Sequence, residues 1–501
     1  MGGPKALRCH HGNTKQALLA SIGISMGGLL YGLDTGIIAT TIGQSTFKTY
    51  MYGGSQGSPA LVGGIVASYY AGGCIGGLQS GWLMDKWSRR YTVLIGAVVS
   101  ILGAALQAAA VNPGMMIAGR IFSGWSTGVL YSVTPIYLAE ISPPENRGFL
   151  VGLKGLTNAG GFFVANWIGY AGSFASGNGQ WRIPLAMQAP PAVGLGLLVF
   201  AMPFSPRWLV KQERHEDAVK VLRRLHGARG EDFVQHQYVE IRDQLALEAD
   251  LRRQSSLKIL FTRQYARRML LACLIVNMTK LSGSQVIQNY QSLMYAALGF
   301  KGQTVLLIAG CYGTMGILGQ IFNLIWVSDT WSRRKTMCTG TASIAATLIV
   351  LLALSKYYPD DRNLAGSSAG VAFIFIFSFL YAVFFNSTNW VLVSEIFPLH
   401  LRGTGVGFAI FTQAVTAIWL SQVSPTAFEA LEWKFYFIFI ATNVSAGLAY
   451  YFFLPETNQL SLEQIAAVFG DAAVEGNLRQ KDTIDDKTEA IELEEERKYE
   501  A

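Results

Sequence analysis

DKWSRRYT at Asp85–Thr92 and DTWSRRKT at Asp329–Thr336 are nearly the same octet written twice, each time between two long apolar runs. Composition explains those runs: 51% of the residues are hydrophobic and only 14% charged, with 54 glycines and a mean hydropathy of +0.31. Ordinary soluble domains carry about 25% charge, so this chain is built for lipid rather than water.

Outward from the octets, nearly uncharged stretches recur, each long enough to cross a hydrocarbon core of about 30 Å as a helix. Twelve are read, over 17–40, 60–84, 91–111, 115–138, 152–172, 183–203, 269–298, 303–327, 336–355, 368–394, 404–424 and 435–454. Lys86, Arg89, Arg90, Arg147, Arg333, Arg334, Lys335 and Arg402 fall in connections that follow even-numbered spans. The other connections hold fewer, Lys48, Arg182, Lys301, Lys356, Arg362 and Lys434. This asymmetry predicts that both octets and both termini are cytoplasmic.

The expected organisation is a cytoplasmic N-terminus (1–16), a six-helix bundle (17–204), a cytoplasmic helical linker (205–268), a second six-helix bundle (269–455) and a tail (456–501). The linker has helical patterning in EDAVKVLRRLHG and EIRDQLALEADLRRQ. From about 470 the tail is acidic and poor in aromatics, so disorder is expected there. The first apolar run is too long for a signal peptide and is read as a retained helix. Ala6 stands where an N-myristoylation signal wants Ser or Thr. Cys9, Cys74, Cys273, Cys311 and Cys338 show neither disulfide nor metal spacing, so no metal site is expected. Sequons at Asn277, Asn386 and Asn443 lie inside spans, beyond the reach of glycosylation.

A second motif is also duplicated. EISPPENRG (Glu140–Gly148) follows the fourth span and EIFPLHLRG (Glu395–Gly403) the tenth, just as the octets follow the second and eighth. Two different motifs in the same order imply two duplicated bundles, the architecture on which an alternating-access transporter rocks about a midplane site. Away from the span ends, three charged residues fall within the spans, Asp34, Arg120 and Lys280. Charges so placed are costly and mark pathways, proton relays or ligand sites.

Over essentially its whole length the chain resembles the sugar porter family of the major facilitator superfamily, in the manner of its fungal sugar/proton symporters. The resemblance rests on GGLLYGLDTG, DKWSRR, GRIFSGWSTG, PIYLAEISPPENRG, SPRWL, DTWSRR, WVLVSEIFPLHLRG and PETNQLSLEQI. It implies an all-α membrane protein of twelve transmembrane helices in two six-helix bundles, with a cytoplasmic helical insert. It also implies a cytoplasmic gate in which loop arginines engage glutamates at the ends of the fourth and tenth helices. Here those residues are Asp85, Arg89, Arg90, Glu140 and Arg147 with Asp329, Arg333, Arg334, Glu395 and Arg402. Set against this is the plainer reading that these charges only fix topology in the headgroups. Glutamates add nothing to the positive-inside bias, so their repetition favours pairing, each pair contributing about 0–1 kcal/mol if exposed.

Asp34 matches the position where proton-coupled sugar porters carry an aspartate and passive glucose carriers an asparagine, and Arg120 matches its fourth-helix partner. The implied mechanism is that Asp34 takes up a proton, releases Arg120 and couples that release to closure on substrate. The alternative is a permanent pair that only joins two helices.

The C-terminal half departs from the family. The usual QQxxGxN on the seventh helix is TKLSGSQ here, with Thr279 and Lys280 for the glutamines and Gln285 for the asparagine. GPxxW on the tenth helix becomes NSTNW, keeping Trp390 and losing a helix-weakening proline. Ala414 and Ala417 replace a tryptophan and an asparagine on the eleventh. Gln288 and Asn289 are candidate hydroxyl readers, and Asn166 lies where some members place a sugar-contacting glutamine. Lys280 either faces a substrate carboxylate or serves coupling and helix contact.

The reading is therefore a non-enzymatic, proton-coupled carrier of a sugar or polyol, monomeric, in the plasma membrane, without cofactor, metal or nucleic-acid partner. Alternatives are a carrier of a sugar acid or quinate-like anion, a metabolite exporter, and a non-transporting sensor. No P-loop is present to support direct ATP drive. Both octets carry Ser (Ser88, Ser332) where the family has Gly, and each serine is predicted to cap the helix that follows.

Overall fold

A computed structural model describes residues 15–53, 57–141, 147–227, 230–252, 260–327, 330–358, 364–397 and 399–456. Among them every regular element is helical. The N-terminal half comprises α1 (Lys15–Gly43), α2 (Ser45–Tyr52), α3 (Pro59–Ala108), α4 (Pro113–Ile141), α5 (Arg147–Gly172), α6 (Gly179–Ala186) and α7 (Ala189–Leu198). The insert follows as α8 (Pro206–Lys211), α9 (His215–His226) and α10 (Glu231–Arg252). The other half comprises α11 (Arg263–Leu281), α12 (Ser284–Ala297), α13 (Gln303–Phe322), α14 (Arg333–Tyr357), α15 (Leu364–Phe384), α16 (Thr388–Ile396), α17 (Leu399–Leu431) and α18 (Tyr436–Phe453).

These helices supply the twelve spans. Among the described residues seven continuous helical stretches are long and apolar enough to cross a membrane, two of them of 50 and 49 residues. At 1.5 Å per residue such stretches reach about 75 Å, enough for two crossings each. Pro59–Ala108 makes its two crossings by folding back at Ser88, and Gly405–Phe453 makes its two around Glu432–Phe435. α1, α4 and α5, of 29, 29 and 26 residues, at about 40 Å also exceed the hydrocarbon thickness. The sixth, seventh and tenth spans are each broken in two. Gly283 breaks the seventh with φ 95°, a conformation open to glycine at no steric cost. The tenth breaks between Phe384 and Thr388 without the family's proline.

Glycine is abundant because backbones touch. A Cβ on Gly124 would lie 1.9 Å from the Tyr69 carbonyl oxygen, and one on Gly76 2.1 Å from that of Trp125. In lipid, where apolar burial gives no drive between helices, such close approach is what holds the second and fourth spans together.

The two serines of the octets part company. Ser332 is extended (φ −66°, ψ 144°) and its hydroxyl accepts from the Lys335 N–H, capping α14 as expected. Ser88 adopts φ 77°, ψ 160°, inside α3. The expectation of a helix cap there is corrected: the sharp reversal demands a glycine-like backbone, and the long 3.5 Å contact from the Tyr91 N–H to Ser88 Oγ is a weak remnant of capping.

The insert packs α8–α10 around Leu209, Val210 and Ala218. It docks on the first octet, where Trp208 Nε1 donates to the Asp85 carbonyl oxygen (3.1 Å) and Lys211 Nζ lies 2.9 Å from the Asp85 carboxylate.

Candidate functional site

Asp34 and Arg120 are completely buried, on α1 and α4. They are adjacent but not ion-paired: Arg120 Nη1 donates to the main-chain oxygen of Asp34 (3.2 Å), and its guanidinium lies over the Tyr69 ring at 4.5 Å. The Asp34 carboxyl meets Thr127 instead, with Oδ2 2.9 Å from Thr127 Oγ1. Thr127 Oγ1 is also 2.6 Å from the Ser123 carbonyl oxygen, the i−4 position to which a helical threonine commonly donates. A hydroxyl has one proton. Thr127 thus has two acceptors in reach for one proton, the Asp34 carboxyl and the Ser123 carbonyl.

Thr127 was not singled out from sequence, although its position seven residues after Arg120 places it two turns along on the same helix face. Tyr69 was likewise missed, and nothing in its sequence context marks it.

The residues expected to form a gate pair within each half. Arg89 Nη2 lies 2.8 Å from Glu140 Oε1, and Ser205 Oγ donates to Glu140 Oε2 at 2.5 Å. In the other half Arg333 lies 3.6 Å from Glu395. The neighbouring arginines repeat one another as well: Arg90 donates to the Phe200 carbonyl and stacks on Phe204, and Arg334 donates to the Tyr451 carbonyl and stacks on that ring. Asp85 adds a 3.7 Å contact to Arg89. Asp329 and the side chains of Arg147 and Arg402 lie outside the described residues. Glu456, which the sequence reading passed over, accepts from the Arg333 and Arg334 N–H groups (2.8 and 3.3 Å) at the start of α14.

Several candidate hydroxyl readers are already engaged. Asn166 Oδ1 accepts from Gln291 Nε2 (2.7 Å), a bond between the halves. Asn289 accepts from the Tyr70 hydroxyl (3.0 Å) and donates to Ser421 Oγ (3.2 Å). Thr279 donates to its own helix at Val276. Ser292 donating to the Ala39 carbonyl and Gln422 to the Ala60 carbonyl extend this cross-half seam on the side remote from the octets.

Three candidates remain uncommitted. Gln285 is 1% exposed, and its amide lies near the Tyr70 phenol without a well-formed hydrogen bond. Gln288 and Lys280 are half-buried and make no hydrogen bond or ion pair among the described residues. Lys280 is the penultimate residue of α11, just before the break at Gly283. One turn earlier Asn277 bridges to Thr412 and Thr416 of α17. Trp390 meets Tyr131 of the opposite half edge to face, ring centroids 5.3 Å apart.

Comparison with known proteins converges on one family. The model of the sugar (and other) transporter family matches residues 20–469. An MFS-type transporter, criB, of Aspergillus cristatus is 36% identical over 91% of this chain and 94% of its own length. A high-affinity glucose transporter of Kluyveromyces lactis is 27% identical (89% of this chain, 84% of that one), and a quinate permease of Neurospora terricola 29% identical (89% and 87%). Among solved structures, the partially occluded inward-open xylose transporter XylE of E. coli superposes with a TM-score of 0.76 at 21% identity, covering 89% of this chain and 100% of that one.

Proposed function

The chain belongs to the sugar porter family of major facilitator transporters, and we propose that it is a proton-coupled carrier of a small sugar-like ring compound, working by alternating access. One observation carries the coupling: Asp34 and Arg120 lie buried side by side without an ion pair, the Asp34 carboxyl against the Thr127 hydroxyl and Arg120 turned to a main-chain carbonyl. We read it as the proton-loaded arrangement, a proton on Asp34 letting Arg120 turn away. Losing the proton would leave a bare carboxylate beside a guanidinium, and the attraction would draw Arg120 across and disturb the contact between α1 and α4. The hydrogen-bonded seam remote from the octets supports an inward-facing state, in which the octet pairs have withdrawn into their own halves. In this reading the octets and both termini are cytoplasmic, the membrane is the plasma membrane, and the unit is a monomer.

Uptake into transporter-deficient cells, measured with labelled sugars, polyols and sugar acids at two external pH values, tests it. Concentrative uptake should rise at acidic external pH, and Asp34→Asn should abolish accumulation. Flat pH dependence, or full accumulation by that variant, would remove proton coupling.

A second reading, an anionic sugar acid or quinate-like substrate, is favoured by Lys280, a mid-span cation without a partner among the described residues. Lys280→Gln should then shift preference from anionic toward neutral substrates.

A further inference from the structure

Two consecutive tyrosines of α3 join the buried Asp34–Arg120 site to the opposite half. Neighbours on a helix point about 100° apart, so one can face α4 while the other faces α12. The Tyr69 ring meets Arg120, its centroid 4.5 Å from the guanidinium carbon, and packs edge to face on Tyr70 at 5.2 Å. The Tyr70 hydroxyl crosses to the other half, where it donates to Asn289 Oδ1 (3.0 Å). Asn289 in turn donates to Ser421 Oγ (3.2 Å) on α17. α3 and α17 touch again at Gly63, where a Cβ would lie 2.6 Å from the Gln422 carbonyl oxygen. α12 is parted from α11 by the break at Gly283, and besides Asn289 it is tied to the first half through Gln291 and Ser292.

These contacts run from a buried charge to the seam between the halves. A cation over an aromatic face is held by the ring's quadrupole, most strongly where water is excluded. The ionisable groups that act on Arg120 are Asp34 of α1, Tyr69 and Tyr70 of α3 and Tyr290 of α12. Phenols are uncharged at physiological pH and arginine keeps its charge, so a change of charge in this cluster falls on Asp34. A carboxylate there draws Arg120 off the Tyr69 ring. Resting on the carrier reading above, we propose that Tyr69 and Tyr70 are positioning residues of the coupling. Arg120 seated on Tyr69 holds the pair where Tyr70 reaches Asn289, so protonated Asp34 clasps α12 against the first half and ionised Asp34 lets it go. Tyr69 acts through its ring, since its hydroxyl lies near Thr127 without a well-formed hydrogen bond. Tyr70 acts through its hydroxyl.

Hydrogen–deuterium exchange of the full chain in lipid nanodiscs tests this with the proton as the only ligand. Amide protection of α12 is compared at acidic and alkaline pH, each corrected for intrinsic exchange. In the parent chain protection should fall at alkaline pH, and in Asp34→Asn it should stay high at both. Tyr70→Phe should lower protection at acidic pH about tenfold, as loss of one buried hydrogen bond implies, and abolish the response to pH. Tyr69→Leu should abolish the response too, whereas Tyr69→Phe, which keeps the ring, should retain it. Should Tyr69→Leu not fold, Tyr70→Phe decides. A response that Asp34→Asn removes but Tyr69→Leu or Tyr70→Phe leaves intact refutes the relay and keeps proton coupling. So does a loss of protection by the same factor at both pH values, which is what a residue that only packs would give, or a Tyr69→Phe variant no better than Tyr69→Leu. A parent chain without any response, or one unaltered by Asp34→Asn, removes proton coupling and the relay with it.

Discussion

Removing the Arg89–Glu140 pair should reveal that the two duplicated ion pairs are energetically lopsided. The side chains of Arg89 and Glu140 are 13% and 8% exposed and 2.8 Å apart, whereas Arg333 and Glu395 are 14% and 21% exposed and 3.6 Å apart. At an effective dielectric constant of about 20 the gross attraction is about 6 kcal/mol in the first pair and about 4.6 kcal/mol in the second. Desolvation removes most of both. The first pair keeps more, being shorter and more deeply buried, with Ser205 donating to Glu140. A double-mutant cycle of Arg89→Ala with Glu140→Gln should give a coupling of about 2 kcal/mol, against about 1 kcal/mol or less for Arg333→Ala with Glu395→Gln. Unfolding in mixed micelles titrated with denaturing detergent supplies the free energies. Equal couplings in the two halves, or one below about 0.5 kcal/mol at Arg89–Glu140, would refute the reasoning. The sequence reading, which assigned 0–1 kcal/mol to exposed pairs, would then have been sufficient for both.

The same substitution should act with opposite sign in the two octets. Ser88→Gly relieves a backbone that disfavours a side chain and should stabilise by about 1 kcal/mol or more, whereas Ser332→Gly loses a cap and should cost a few tenths of a kcal/mol; thermal unfolding of both variants checks the signs. Glu456→Ala should destabilise by about 1 kcal/mol through the N–H groups it leaves bare at α14, and a melting temperature equal to the parent's would deny it that role. Gly124→Val should fail to give folded carrier, since its Cβ would collide with the Tyr69 carbonyl; a normal yield of monodisperse protein by size-exclusion chromatography would contradict the packing described.

Span positions were legible because they depend on one-dimensional quantities, apolar length and loop charge. The duplicated loops were legible because the same two motifs recur in the same order in each half. Asp34 and Arg120 stood out for the same reason, as charges that lipid would reject. Their immediate partners did not: Thr127 and Tyr69 are ordinary membrane residues, and only the crossing of α1, α3 and α4 brings them to Asp34 and Arg120. Asn166 and Asn289 look like hydroxyl readers in sequence, yet the way the halves meet gives them to Gln291, Tyr70 and Ser421.

The sequence by itself thus determined the number of spans, their division by a polar insert and the places where charge enters the membrane, since each is a property of composition along a line. Tertiary structure decided which groups the buried charges face, which amides are spent on helix contact and which of two identical serines is strained. Those outcomes depend on distances between helices far apart in the chain. A hydrogen bond gained or lost over a few tenths of an ångström leaves no mark on hydropathy.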